Sequence, residues 1–209
     1  IRDVDAIIHV VRSFNEDNIT HVEGSLDPLR DIETIETELL IKDIASVEKR
    51  LVKATKNART GDKDYIKEVT VLNSILPEMN NGTLMHDIEL SSDERLLIKP
   101  LYLLTDKPIL YLFNIDENKI GINNTNNDLQ KLAEFAKKRG NFIIQLCGKV
   151  EAEIANLNEE ERNFFLEEYN ISEPGLNKLI NASYSLLGLE TFFTAGEKEV
   201  RAWTIPKNT

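Results

Sequence analysis

Residues 108–117 read Pro-Ile-Leu-Tyr-Leu-Phe-Asn-Ile-Asp-Glu, and this stretch decides the fold. Its unbroken apolar and aromatic part predicts a strand buried on both faces, as in a parallel sheet covered by helices. The character then changes to Asn114, Asp116 and Glu117, at the end of the strand where ligands of open α/β sheets bind. An Asn amide offers a donor and an acceptor, which suits the edge of a base. The alternative interpretation is a strand that simply ends in a polar turn.

Two further apolar runs predict strands before and after this one. Residues 6–11 form a short β-branched run, which we interpret as a central strand with His9 as a packed core histidine. Residues 141–147 form another buried strand, reached through a predicted helix over 129–136. Strand, helix and strand joined by short connections become parallel neighbours in the sheet. We therefore expect residues 147–149 to lie beside residues 114–117 and to form one pocket wall.

Between the first and second strands, the sequence changes to helical periodicity. Two apolar seams with spacings of three and four residues predict two amphipathic helices. Gly61 and Asp62 separate the helices as a C′ glycine and an N-cap. Helices joined by so short a turn run antiparallel, so we predict an inserted helical hairpin of coiled-coil type. The first seam comprises Leu40, Ile44, Val47, Leu51, Ala54 and Ala58, and the second comprises Ile66, Val69, Leu72 (or Asn73), Leu76 and Met79.

The first of these helices carries a local excess of positive charge. Five basic residues occur between positions 49 and 59 with no acid among them, although the whole chain has a formal net charge of −11. One interpretation is a solvated helix face. The other is a contact with RNA or an acidic partner, because the charge is inverted relative to the rest of the chain. The five residues are Lys49, Arg50, Lys53, Lys56 and Arg59.

The last third of the chain predicts two helices and then a hairpin. Asn158 caps a helix whose apolar positions include Phe165 and Tyr169, and Pro174 opens the next helix. Residues 191–194 and 200–205 flank a short turn and predict a β-hairpin. Because the hairpin comes after the α/β pattern has closed, we expect it to begin a second domain.

Composition and missing motifs exclude several classes of function. The net charge of −11 opposes general affinity for nucleic acid, and the single Cys147 fits a reducing compartment. No apolar run is long enough to span a membrane, and no secretory signal begins the chain. Zinc-ligand spacing, Gly-x-Ser-x-Gly, a dinucleotide glycine triplet and a phosphate loop do not occur, so we assign no catalytic and no metal-binding residue. The start at Ile1, without Met, leads us to expect a piece of a longer protein.

Several short motifs are spread along the whole chain. The most specific are in the C-terminal hairpin, where residues 192–196 read Phe-Phe-Thr-Ala-Gly and residues 199–204 read Glu-Val-Arg-Ala-Trp-Thr. The others are Ile1-Arg2-x-x-Asp5-Ala6-Ile7, His9-Val10-Val11-Arg12, His21-Val22, Asp27-Pro28, Asp31-Ile32, Asn114-x-x-Glu117 and Glu173-Pro174-Gly175-Leu176. Taken together, these motifs make the chain resemble the YchF/Obg-like ATPase family.

The resemblance implies the C-terminal half of a P-loop GTPase-like parallel-sheet domain, interrupted by the helical hairpin and followed by the start of a β-grasp TGS domain. The implied bounds are 1–28 and 91–188 for the GTPase-like domain, 29–90 for the hairpin and 189–209 for the TGS domain. The family's phosphate loop, switch regions and Mg²⁺ ligands are expected upstream, so the chain alone is expected to be inactive. The resemblance further implies a cytoplasmic, monomeric ATPase that associates with ribosomes and ribosomal RNA and not with a membrane.

Base recognition is the role that the resemblance carries onto this chain. Related GTPases read guanine with Asn-Lys-x-Asp, and here Ile115 and Glu117 stand in place of the Lys and the Asp. Glu is one methylene longer, so guanine loses a bidentate contact of about 1–3 kcal/mol, whereas Asn114 can still pair with N6 and N7 of adenine. The implied nucleotide is ATP, with Ile115 against the ring. Cys147, Gly148 and Lys149 stand in place of the Ser-Ala-Lys loop of related GTPases, whose backbone N–H groups reach the base. The substitutions leave that role open for this loop, because backbone donors do not depend on the side chain.

Two alternatives to an ATPase stay open at this point. The first is an enzyme that uses GTP, or both nucleotides. The second belongs to a different class, an RNA-binding or ribosome-binding module in which the basic helix makes the contact and nucleotide only regulates it.

Overall fold

A computed structural model describes residues 3–14, 26–120, 131–132, 134–136, 139 and 141–208. The chain divides into two compact units. One is drawn from Ile1–Asp5 and Arg30–Lys107, and the other from Ala6–Leu29 and Pro108–Thr209. Each unit is described by itself below.

The second unit is built on a parallel sheet of β1 (Ile7–Ser13), β2 (Ile109–Ile115) and β3 (Phe142–Leu146), in the order β1-β2-β3. Ser13 lies opposite Ile115, and Asn114 lies opposite Leu146. The carboxyl ends of all three strands therefore meet at one edge of the sheet. The α/β class and the parallel pairing of the two later strands, both predicted from the sequence, are confirmed.

Burial differs sharply between β2 and β1. In β2 every residue except Asn114 is buried, and Leu110 and Tyr111 have no exposed surface, as predicted for a strand covered on both faces. In β1, by contrast, Ile8 is 46% exposed and Val10 is 62% exposed. The prediction of β1 as a central strand is wrong for the described residues, among which β2 is central and β1 pairs with β2 alone. A β-branched run fits an edge strand as well as a central one, so the sequence pattern does not separate the two positions.

The first unit contains the two predicted helices, α1 (Pro28–Ala58) and α2 (Lys63–Asn80). Gly61 between them has φ +83°, a conformation that glycine adopts without strain, and the Asp62 side chain accepts a hydrogen bond from the Asp64 N–H at 2.9 Å. The helices fold back on each other, since Arg50 of α1 contacts Glu68 of α2. The turn signals read from the sequence are thus confirmed, and α2 runs three residues past Pro77.

The apolar seams are confirmed for α1 and only partly for α2. Leu40, Val47 and Ala54 are buried together with Leu72 and Met79 in one cluster. Ile66 was predicted to lie in this seam and is instead 47% exposed, while Ile75 is fully buried. These two positions are nine residues apart, about 180° around a helix, so only one of them can face α1.

A buried carboxylate joins α1 to the chain segment that leads into β2. Asp43 has no exposed surface, and its oxygens accept hydrogen bonds from the Leu104 N–H, the Thr105 N–H and the Thr105 hydroxyl. The helix α3 (Ser92–Ile98), with a Ser91–Glu94 capping box, precedes that segment. Residues 91–107 therefore belong to the same compact unit as the hairpin.

The remaining elements of the second unit follow β3 in the order α4 (Gly148–Ile154), α5 (Glu159–Glu168), α6 (Gly175–Leu186), β4 (Leu189–Ala195) and β5 (Val200–Pro206). Leu179 of α6 packs on a core cluster that includes Leu110 and Ile144. The strands β4 and β5 pair in antiparallel fashion, as the hairpin prediction requires. In the helix predicted over 129–136, Leu132 and Ala136 are buried, and Leu129 and Ala133 lie outside the described residues.

Candidate functional site

Two loops meet where β2 and β3 end. Asn114 is the second-last residue of β2, and the Gly148 N–H at the start of α4 donates a hydrogen bond of 2.9 Å to its Oδ1. A Cβ on residue 148 would lie 3.4 Å from the Asn114 amide, so a larger side chain there would touch the amide without a severe clash. The predicted proximity of the two loops is confirmed. Their role in binding a ligand stays a prediction.

A second contact across the same two loops involves Glu117. Its Oε2 lies 2.8 Å from the Lys149 Nζ, and its Oε1 accepts a hydrogen bond of 2.6 Å from the Tyr169 hydroxyl. The hydrogen bond from Lys149, and then the one from Tyr169, lower the pKa of Glu117 below its ordinary value. The same carboxylate raises the pKa of Lys149, and it raises the pKa of Tyr169 to about 12. At neutral pH the group is therefore a carboxylate held between an ammonium and a protonated phenol.

The loops enclose an open pocket of about 350 Å³ at the sheet edge. Phe14, directly after β1, contributes an aromatic wall that the sequence analysis did not predict. The Arg12 guanidinium lies over the Phe14 ring, 4.8 Å from its centroid, a cation–π contact that helps to hold the ring in place. The complete lining is Phe14, Asn114, Ile115, Asp116, Glu117, Cys147 and Lys149.

The predicted site residues differ in how much surface they offer to a ligand. Ile115 and Cys147 are each only 6% exposed, so each presents a small apolar area at the bottom of the pocket. The Lys149 side chain is 69% exposed, and that of Glu117 is 37% exposed. The structure thus brings five of the six predicted residues to one pocket, with Gly148 bonded directly behind it.

The loop after β3 is also tied to the start of α6. The Glu151 carboxylate of α4 accepts hydrogen bonds from the Gly175 N–H at 2.7 Å and the Leu176 N–H at 3.3 Å, where the helix dipole favours negative charge. A Cβ at position 175 would lie 2.6 Å from the Glu151 Oε1 and 3.0 Å from the Leu146 Cβ. This close approach explains why glycine follows the proline in the Glu-Pro-Gly-Leu motif.

The predicted basic residues lie in the other unit, and one of them is paired. Arg50 makes a bidentate contact with Glu68, whose side chain is almost fully buried, and this bond raises the pKa of the guanidinium. The other four are exposed, and three of them recur at spacings of four and three residues on one side of α1. The exposed residues are Lys49, Lys53, Lys56 and Arg59.

Two further features are absent from the described ranges, a metal-ligand cluster and a membrane-spanning helix. No group of three or more His, Cys, Asp or Glu side chains in that part of the chain converges to hold a metal ion. None of the helices described above is both long enough and apolar enough to cross a membrane.

Known proteins resemble the chain along its full length. A comparison with protein-family models finds no match. Over 99% of its length, the chain is 47% identical to the ribosome-binding ATPase YchF of Bacillus subtilis and 46% identical to that of Escherichia coli O157:H7. A solved structure of the Schizosaccharomyces pombe YchF GTPase matches the whole chain with a TM-score of 0.85 at 35% identity. The chain spans 57%, 56% and 57% of these three proteins.

These similarities, added to the parallel sheet, establish the class of the protein. It is an α/β protein with the fold of the corresponding part of a YchF GTPase. Along its whole length the chain is similar to part of these YchF proteins, in agreement with its resemblance to the YchF/Obg-like ATPase family.

Proposed function

We propose that the full-length gene product binds and hydrolyses ATP, associates with ribosomes in the cytoplasm, and uses this chain to recognise the adenine base. Two bacterial relatives, 46–47% identical over 99% of the chain, are named ribosome-binding ATPases. These names support both the ATPase activity and the association with ribosomes. The observation that carries the assignment of the site is the hydrogen bond between Asn114 and Gly148, which joins the two loops at the ligand-binding edge of the sheet.

The geometry of Asn114 is compatible with reading adenine. The Gly148 N–H donates to one lone pair of Oδ1 and so fixes the orientation of the amide. The amide nitrogen can then donate to N7, while the second lone pair of the oxygen accepts from N6. Phe14 and Ile115 supply apolar surface for the ring, and aromatic side chains stack on any base. We therefore assign Asn114 to the adenine edge and Phe14 with Ile115 to its faces.

The finer architecture is part of the same proposal. We assign residues 1–28 and 91–188 to a GTPase-like domain, α1 and α2 to a coiled-coil hairpin spanning 29–90, and β4 with β5 to the start of a TGS domain from residue 189. Within this assignment, residues 91–107 are the part of the GTPase-like domain that packs in one compact unit with the hairpin. An ATPase of this class uses Mg²⁺ to neutralise phosphate charge. The described residues hold no cluster that fits the ion, so we assign none of them to it.

Nucleotide titration of the full-length gene product tests this function. We expect ATP to bind at least about tenfold more tightly than GTP, because the longer Glu117 does not make the bidentate guanine contact. The measurement is calorimetric or fluorescence titration with both nucleotides in the presence of Mg²⁺, paired with phosphate release. Tighter binding of GTP than of ATP would contradict the adenine assignment.

Ribosome association has a separate candidate surface, the exposed lysines of α1. Lys49, Lys53 and Lys56 lie on one side of the helix, opposite the buried Val47 and Ala54, so all three can reach one partner. Arg50 is excluded from this surface because it is bonded to Glu68. Phosphate groups of RNA are the partner that such a lysine row suits.

Reversing the charge of Lys49, Lys53 and Lys56 to glutamate should abolish co-sedimentation with ribosomes at low salt. Each lost phosphate contact weakens binding and lowers its salt dependence. Arg50 stays in place, so the link between α1 and α2 is retained. The matched control reverses three exposed lysines elsewhere, Lys99, Lys198 and Lys207, for the same change in net charge. Equal loss in both variants would show a general charge effect and refute a specific lysine surface.

A further inference from the structure

Both oxygens of the Glu117 carboxylate are engaged by protein donors. Oε2 faces the Lys149 ammonium, and Oε1 faces the Tyr169 hydroxyl. Recognition of guanine by a carboxylate requires both oxygens to point at N1–H and N2–H at once. A carboxylate whose two oxygens are each held by a protein donor is not free to turn into that arrangement unless those bonds break. The length of the side chain alone is therefore not the whole reason for a change in base preference.

Tyr169 is well placed to impose this orientation. It follows α5 directly, and its backbone N–H donates to the Phe165 carbonyl. Its ring stacks on Phe165 with a centroid distance of 4.7 Å and an interplanar angle of 25°. These contacts already restrict the Tyr169 side chain, so it loses little conformational entropy when its hydroxyl bonds Glu117. Lys149, by contrast, is a flexible and largely exposed side chain, so it can leave the carboxylate easily.

We propose that Tyr169 is a specificity-determining residue, which holds the Glu117 carboxylate away from the base edge and thereby disfavours guanine. The proposal rests on the proposed function, since it concerns the same base site. It assigns to the residue that directly follows α5, 52 positions along the chain from Glu117, a role in the choice between adenine and guanine.

The protonation states fit this role. Because the pKa of Tyr169 is raised to about 12, its hydroxyl remains a donor throughout the physiological range. The pKa of Glu117 is lowered, so the acceptor remains charged. The contact is accordingly present at every pH at which nucleotide binding is ordinarily measured. Ordinary assay buffers therefore do not disturb it.

The test is Tyr169→Phe in the full-length gene product, which removes the hydroxyl and retains the ring that stacks on Phe165. We expect the affinity for GTP to rise about tenfold relative to ATP, with the affinity for ATP changed less than about threefold, since one charge-assisted hydrogen bond is released. Tyr184→Phe is the matched control, because its hydroxyl bonds Thr204 far along the chain from the base loops. The control should leave the ratio of the two affinities unchanged.

A double-mutant cycle shows whether the effect acts through Glu117. If it does, the double variant Tyr169→Phe/Glu117→Ala should have the same ratio of ATP to GTP affinity as the single variant Glu117→Ala. Lys149→Met, combined with Tyr169→Phe, should increase the gain in GTP binding further. An unchanged ratio in Tyr169→Phe, or a gain that persists without Glu117, overturns the inference. A wild-type protein that prefers GTP overturns instead the proposed function, so the two failures are distinguishable.

Discussion

Replacing Asp43 with alanine will lower the free energy of unfolding by about 3–5 kcal/mol. The carboxylate is fully buried in α1 and accepts hydrogen bonds of 2.9 Å from the Leu104 N–H, 2.7 Å from the Thr105 N–H and 2.9 Å from the Thr105 hydroxyl. Alanine leaves two buried backbone donors without an acceptor, and each costs about 1–3 kcal/mol. The lost bonds also release the segment that leads into β2.

Denaturant unfolding followed by circular dichroism measures this loss. Asp43→Asn keeps one acceptor oxygen at the site and should fall between the wild type and Asp43→Ala. Glu48→Ala is the matched control, because Glu48 is an exposed acid on the same helix and its loss should change stability by less than about 0.5 kcal/mol. A change of less than about 1 kcal/mol in Asp43→Ala would mean that the buried hydrogen bonds contribute little.

Exchanging Ile115 for lysine and Glu117 for aspartate in one variant will move the nucleotide preference towards GTP by about tenfold to a hundredfold. Aspartate is too short to keep both bonds of Glu117, to Lys149 and to Tyr169, so the carboxylate becomes available to the base edge. The lysine stem replaces the apolar contact of Ile115, which is 6% exposed at the bottom of the pocket. Paired ATP and GTP titrations on the full-length gene product measure the shift.

The single variant Glu117→Asp separates base reading from damage to the fold. It leaves the buried Ile115 intact and should still weaken the preference for ATP. Asp116→Asn is a control at the neighbouring position, which lines the same pocket without bonding Tyr169. If the ratio of ATP to GTP affinity is unchanged in both Glu117 variants while the fold is intact, position 117 does not read the base.

The parallel pairing of β2 with β3, the helical hairpin and the proximity of the two loops could all be predicted from the sequence. Long apolar runs identify β2 and β3. Because parallel strands end at one edge of the sheet whatever their side chains are, Asn114 and Gly148 are brought close to each other. The capping signals at Gly61 and Asp62 are local, and for that reason they could be read directly.

The features that the sequence did not predict depend on contacts between distant positions. Tyr169 has the pattern of a core position in an amphipathic helix, and nothing near it points to Glu117. Phe14 follows β1 in what reads as a polar loop, although the end of β1 at the same sheet edge was an available signal. The buried Asp43 could not be separated by pattern from the exposed acids around it, since its three donors come from residues 104 and 105.

The hydrogen bonds of the Glu151 carboxylate help to order the pocket before a ligand binds. Gly148 and Glu151 lie in one turn of α4, and they bond to Asn114 on one side and to Gly175 and Leu176 on the other. The end of β2 and the starts of α4 and α6 are thus joined before any ligand arrives. Binding to such a preformed pocket orders few residues and loses little conformational entropy. The heat-capacity change of binding should then follow the apolar area buried by the ligand, without a contribution from coupled folding.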